Sequence, residues 1–286
     1  MLAFLVRRLF SAVLVLLAVA LIDYAMLGDR LGSVFFHLDF GIACSYPGCP
    51  PVEKLWARSW IADVSLLVGA LAIAIPTGVA AAVFCASRPR SVATRTVETL
   101  GLLFYSMPAY LFGFGLLLLF EPSFGAFHVP LFFHPGDYEK PGDDLWKFFE
   151  AMLVPCLIVA APFAAVVMRL VQAEAVDELE TDYVRTAEAK GLSRRVVVRR
   201  HAVRPAYGSV ASVVGVWVPS LITNMVLVEY VFFVPGFLGQ LKRALAPGKL
   251  ADVALVQGLA LWGAVLIVAV SVLADLVLVT LDPRVR

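Results

Sequence analysis

The chain has 286 residues, 61% of them hydrophobic and 16% charged, and its mean hydropathy is +0.88. That composition excludes a soluble domain of ordinary make-up and leaves a polytopic membrane protein. The formal net charge of +1 carries no message about partners, because in such a chain the placement of the charges matters more than their sum.

Six apolar stretches are each long enough to cross a hydrocarbon core of ~30 Å as helix. They lie at about 9–27, 61–87, 97–120, 148–171, 206–230 and 253–281. Backbone groups in lipid must pair within their own segment, and the alternation of a closed barrel is absent, so the spans are expected to be helical. The expected fold is an all-α bundle of six transmembrane helices forming one domain over 1–286, with a cytoplasmic loop at 172–205. Pro76, Pro108, Pro155, Pro162 and Pro219 fall inside these spans and predict kinks. "VRR" before the first apolar run has the flavour of a secretory signal, but no small-residue cleavage site follows "LIDYAML", so the segment reads as a span.

The first loop holds Cys44 and Cys49 around "SYPG", where Pro47 and Gly48 suit the centre of a type II turn from Tyr46 to Cys49. Such a turn brings the two sulfurs together on the oxidising side of the membrane, where a disulfide and two free thiols are the alternatives. Cys85 and Cys156 lie within spans and read as packing residues. The second span places Ala70, Ala74, Gly78 and Ala82 at i, i+4 spacing, a strip that lets another helix approach closely, though in an Ala-rich chain it also reads as filler. The segment from Glu121 to Lys147 is rich in Pro, Gly and Asp and reads as irregular.

Orientation follows from the lysines and arginines. With the N-terminus in the cytoplasm, 15 of the 23 fall on inner segments and 8 on outer ones, which places both termini inside. Seven of the 23 lie in "DYVRTAEAKGLSRRVVVRRHAVRP", Asp182 to Pro205. Within it, Asp182 to Lys190 forms a candidate short helix, with Thr181 or Asp182 as N-cap and Gly191 as the stop. Tyr183, Ala187 and Gly191 share one face of it, and Ser193 stands where a second helix would be capped. Positive-inside anchoring explains the arginines from Arg194 to Arg204. It does not explain a capped helix with a small-residue face, a pattern that suits docking into a partner's groove.

Asp23, Glu229 and Asp275 are the acids that stand out near span ends. Solvation near the interface is the simpler reading of all three. Glu229 is the strongest candidate for substrate contact or for positioning the loop after it, followed by Asp23. No Gly-x-x-x-x-Gly-Lys-[Ser/Thr] loop is present, since the one Gly-Lys pair, Gly248 and Lys249, is followed by Leu250. Neither HExxH nor GxSxG occurs, and His37, His128, His134 and His201 are scattered, so no metal or catalytic site is expected.

The charged segment resembles the cytoplasmic loop of ABC importer inner-membrane permease subunits of the dipeptide, oligopeptide and nickel branch. "VRRLF", "IPTGVAAAV", "GLLFYSMPAYLFGFGLLLLF", "VEYVFFVPGFLGQL" and the C-terminal "DVALVQGLALWGAVLIVAVSVLADLVLVTLDPRVR" extend the resemblance over nearly the whole chain. It implies the type I importer permease fold in a bacterial inner membrane. Asp182, Tyr183, Arg185, Thr186, Ala187, Glu188, Ala189, Lys190 and Gly191 would form the coupling helix that sits in a groove of an ATP-binding subunit. The implied partners are a second, similar permease, two ATP-binding subunits, an extracytoplasmic solute-binding protein and membrane lipid, with no nucleic acid. ATP and Mg would be bound by the ATPase subunits and no cofactor by this chain, which is a transport subunit rather than an enzyme. Arg185 replaces the general signature's Glu, Glu188 stands where the branch often has a basic residue, and the segment after the first span is shorter than in relatives. The implied cargo is di- or oligopeptides, with nickel or another small solute as the alternative. A stand-alone carrier or a membrane enzyme is the reading from a different class.

Overall fold

A computed structural model describes residues 10–11, 13–22, 41–120, 138–245 and 252–281. Among them the architecture is helical, with one isolated antiparallel β-bridge between Ile42 and Pro51. The helices are α1 (Val13–Ile22), α2 (Val52–Ser87), α3 (Val92–Ser106), α4 (Ala109–Phe120) and α5 (Leu145–Glu178). After them come α6 (Asp182–Ala189), α7 (Arg194–Val197), α8 (Ala206–Val231), α9 (Leu241–Ala244) and α10 (Val253–Leu281). A π-helical turn, Val198–Ala202, continues α7, and a 3₁₀ turn, Leu238–Gln240, precedes α9.

Four of these helices, α2, α5, α8 and α10, are long and apolar enough to cross a membrane, and a fifth crossing results if α3 and α4 count as one broken span. The span expected over 97–120 is thus two helices, bent by 103° at Met107 and Pro108. Proline disfavours the helical region for the residue before it. Met107 accordingly adopts φ −95°, ψ 129°, which ends α3, and α4 starts afresh at Ala109. The other four intraspan prolines lie within unbroken helices. α1 is short for a span, and the remainder of the first expected segment lies outside the described residues. α5 runs on to Glu178, so the stretch expected as loop over 172–205 begins as helix.

α5 is the hub of the bundle, packing against α2, α3, α4 and α8, while α8 also packs on α10. Its most extensive partner is α2, and the small-residue strip is the reason. Ala70, Ala74 and Ala82 are fully buried, and a Cβ at Gly78 would stand 2.7 Å from the Ala164 carbonyl oxygen and 2.8 Å from Val167 Cβ. In lipid such close backbone approach replaces the hydrophobic effect as the source of helix association. Cys85 and Cys156 are buried packing residues, the latter against Leu66. Between α2, α3, α4 and α5 lies an open cavity of about 530 Å³, whose walls include Ile73, Leu100, Phe104, Phe112 and Met168 and no charged side chain.

Candidate functional site

The segment from Glu178 to Pro205 folds as a projection at one end of the bundle. α5 closes on a turn in which the Thr181 hydroxyl donates to the Glu178 carbonyl, and α6 begins at Asp182. α6 spans Asp182 to Ala189, so Tyr183, Arg185, Thr186, Ala187 and Glu188 all lie on it, followed by Lys190. Gly191 has φ +82°, the left-handed conformation that stops a helix and that L side chains adopt only under strain. Ser193 occupies the N-cap position of α7, though its side chain makes no capping bond.

The face that α6 turns inward shares Ala187 with the Tyr183, Ala187 and Gly191 face expected for docking. Val184 is fully buried and Ala187 nearly so, and both pack with Val197 and Leu179 in a small separate apolar cluster. Valine has more surface to hide than alanine or glycine, so the i, i+3 pair of Val184 and Ala187 sets the helix's roll. Tyr183 is 50% exposed, and Asp182, Thr186, Ala189, Lys190 and Gly191 are exposed as well. Of the expected docking face, Ala187 is therefore occupied by the chain's own loop, and a partner would meet Tyr183, Thr186 and Lys190. The Tyr183 hydroxyl donates to Glu178 Oε1 and reaches the His201 carbonyl at 3.4 Å, tying α6 both to the end of α5 and to the π-helical turn. Partial burial, and then the bond to Glu178, push the Tyr183 phenol up to about 12.

The opposite end of the bundle is built differently. Glu229, in the last turn of α8, is 1% exposed, so it is not an interfacial, solvated acid. Its Oε2 accepts from the Gly239 backbone N–H at 2.7 Å, holding the "VPGFLGQ" loop that follows α8. Beside it lies Asp63 of α2, fully buried. Asp63 Oδ1 accepts from Leu238 N at 3.2 Å, and Oδ2 accepts from Phe237 N at 3.2 Å and from Trp262 Nε1 of α10 at 2.7 Å. Glu229 Oε1 is buried and has no hydrogen-bond partner among the described residues. Gly236 lies against both: a Cβ there would collide with the Glu229 carboxyl and stand 2.6 Å from Asp63 Oδ1.

A second loop covers the same end. Residues 41–52 form a hairpin, with Ala43 N donating to Pro50 O and Val52 N to Gly41 O. Its tip has the form of a type II turn: Cys49 N donates to Tyr46 O at 3.1 Å and Gly48 has φ +78°. Ser45 N donates to Asp252 Oδ2, Tyr46 Oη to Gln240 Oε1, and Arg243 lies 4.5 Å over the Tyr46 ring. Cys44 and Cys49 are exposed free thiols, and the neighbouring Cys49 side chain pushes the Cys44 thiol up.

Asp63 escaped the reading of span-end acids, although it lies inside the expected 61–87 segment, where an ionisable residue is itself a signal. Asp275 is half-buried in α10, and Asp23 lies outside the described residues. Among the described residues no group of three or more His, Cys, Asp or Glu could hold a metal ion.

Comparison with known proteins adds the family. Residues 74–286 match the family described as the binding-protein-dependent transport system inner membrane component. A Brucella abortus (strain 2308) protein named as a putative peptide transport system permease is 32% identical over 261 residues, covering 91% of this chain and 79% of that protein. The dipeptide transport system permease protein DppB of Escherichia coli (strain K12) is 31% identical over 267 residues, covering 87% and 77%. A Sinorhizobium fredii protein named as a peptide ABC transporter permease is 27% identical over 236 residues, covering 82% and 72%.

Proposed function

Because the chain belongs to the family of inner-membrane components of binding-protein-dependent transport systems, we propose that it is one of two permease subunits of an ATP-driven importer and lines half of a path for di- or oligopeptides. The observation that carries this reading is α6, an exposed helix ended by Gly191 and fastened directly to the hub helix α5 and, through α7, to α8. A partner that moves α6 moves two core helices with it. Two ATP-binding subunits, holding ATP and Mg, supply that motion, and an extracytoplasmic solute-binding protein delivers the cargo.

The cargo assignment rests on the relatives, which are named for peptide or dipeptide transport. A peptide is zwitterionic, and a charge at the bilayer centre costs roughly 2.5 to 3.5 kcal/mol on insertion scales. Passage therefore needs a water-lined path, which the 530 Å³ apolar cavity does not offer and which a second permease would complete. In the proposed topology six spans cross the membrane, α3 and α4 together form one of them, and both termini and α6 face the cytoplasm. The 15-to-8 distribution of basic residues supports that orientation.

The test is ATP-dependent uptake into vesicles carrying the assembled transporter and its binding protein, with labelled dipeptides and oligopeptides compared with nickel chelates. Peptide uptake that requires ATP is expected. Uptake of nickel alone would move the chain to the family's other cargo, and uptake without any ATP-binding subunit would make it a stand-alone carrier.

A further inference from the structure

The hairpin at 41–52 carries two exposed thiols, Cys44 and Cys49, whereas Cys85 and Cys156 are buried in the bundle. A free cysteine that serves packing is among the most buried of residues, so an exposed pair calls for another role. The hairpin's hydrogen bonds set its register. Ala43 N donates to Pro50 O at 2.9 Å and Val52 N to Gly41 O at 3.0 Å, which brackets Ile42 and Pro51 as an opposed pair with no hydrogen bond between them. Two residues nearer the tip, the same register sets Cys44 opposite Cys49 on the same face of the ribbon. Opposed residues of this kind have Cα atoms about 4.5 Å apart, and a disulfide spans about 4.4–6.8 Å.

The backbone at the tip points the same way. Cys49 has φ +42°, in the left-handed region that a residue with a Cβ occupies only under strain, and it follows Gly48 at φ +78°. Glycine would fill that position at no steric cost, so what a cysteine brings to it is its sulfur. Between the two cysteines lie the residues through which the hairpin grips the chain beyond α8. Ser45 N donates to Asp252 Oδ2 at 2.7 Å, Tyr46 Oη donates to Gln240 Oε1, and the Arg243 guanidinium lies 4.5 Å over the Tyr46 ring. Asp252 in turn accepts from Leu255 N through Oδ1 and so caps the first turn of α10.

We propose that Cys44 and Cys49 close into a disulfide on the outer side of the membrane, and that this ring fixes Ser45 and Tyr46 where they hold Gln240, Arg243 and Asp252. The bond forms by exchange. Each thiol gives up its hydrogen, two electrons pass to the disulfide of an extracytoplasmic thiol–disulfide oxidant, and that oxidant leaves as two thiols. The pairing stands on the hairpin alone, and only the oxidising compartment rests on the proposed topology.

The first experiment treats cells making the full chain with N-ethylmaleimide before lysis and then weighs the tryptic peptides. Trypsin releases residues 31–54 as one peptide holding both cysteines. That peptide should carry no maleimide, be two hydrogens lighter than the dithiol, and take up two maleimides only after reduction. Maleimide on both cysteines before reduction overturns the disulfide. Oxidised glutathione added to the purified chain then separates the causes: ring closure places the fault in the topology, and failure to close places it in the hairpin geometry. The second experiment reads the ring's role by hydrogen exchange and melting of the full chain in lipid nanodiscs. Reduction should speed exchange in peptides covering Ser45 and lower the melting temperature by about 4–8 °C, and should change neither in Cys44→Ser. Exchange and melting of the parent that are indifferent to reduction overturn the ring's hold on Asp252 and Gln240.

Discussion

The two ends of the helix bundle solve opposite problems. At the Asp63 end, a loop, a hairpin and three long helices converge on buried polar groups, and the backbone N–H groups of Phe237, Leu238 and Gly239 are all consumed by carboxyl oxygens. At the α6 end, a short helix stands on an apolar cluster of Val184, Ala187, Val197 and Leu179 and leaves Tyr183, Thr186 and Lys190 exposed. One end is saturated with its own interactions and the other keeps its surface for something else. The difference teaches where each kind of residue does its work: buried acids fix a loop, whereas a short, largely exposed helix keeps a surface open, as the proposed docking of an ATP-binding subunit requires.

The largest break in this contrast should come from Asp63→Ala. It strips the acceptor from two backbone N–H groups and an indole, and each buried donor left unsatisfied costs about 1–3 kcal/mol, so the three together make this the largest loss. Thermal unfolding of the detergent-solubilised chain should show the loss. Trp262→Phe keeps most of the ring's bulk and removes the 2.7 Å bond to Asp63, so about 1.5–3 kcal/mol is expected by the same measurement. A loss for Trp262→Phe as large as that for Asp63→Ala would show that packing, not the carboxylate, holds this end.

The smallest effect belongs to the open end and depends on pH. The folded state raises the Tyr183 phenol from 10.0 to about 12, so folding favours its neutral form. The stability this group contributes is fully present below pH 10 and is lost as the pH rises through about 12. Unfolding curves of the parent chain and Tyr183→Phe should therefore converge over that range. Curves that stay parallel would remove the bond to Glu178 as a restraint on α6.

The features legible in the sequence were those set by local chemistry. Gly191 as a helix stop, the type II turn at Pro47 and Gly48, and the small-residue strip from Ala70 to Ala82 each depend on a few adjacent or periodic residues. What escaped depended on residues distant in the chain. Asp63 acquires its role from Leu238 and Trp262, 175 and 199 positions away. The burial of Ala187 and Val184 depends on Val197, which lies beyond the glycine stop, so spacing within the helix alone does not show it. The 103° break at Met107 and Pro108 was foreshadowed by the proline, but Pro76, Pro155, Pro162 and Pro219 carry the same local signal without a break.

The most direct test of the central claim is association through α6. Thr186 is exposed on that helix, and its hydroxyl donates within its own turn, to the Asp182 carbonyl. Thr186→Arg should therefore leave stability within about 0.5 kcal/mol of the parent, as surface substitutions do. Co-purification of the ATP-binding subunit with the tagged parent chain, and its loss from Thr186→Arg with unchanged unfolding behaviour, is the predicted result. An ATP-binding subunit retained equally by both chains would contradict the account.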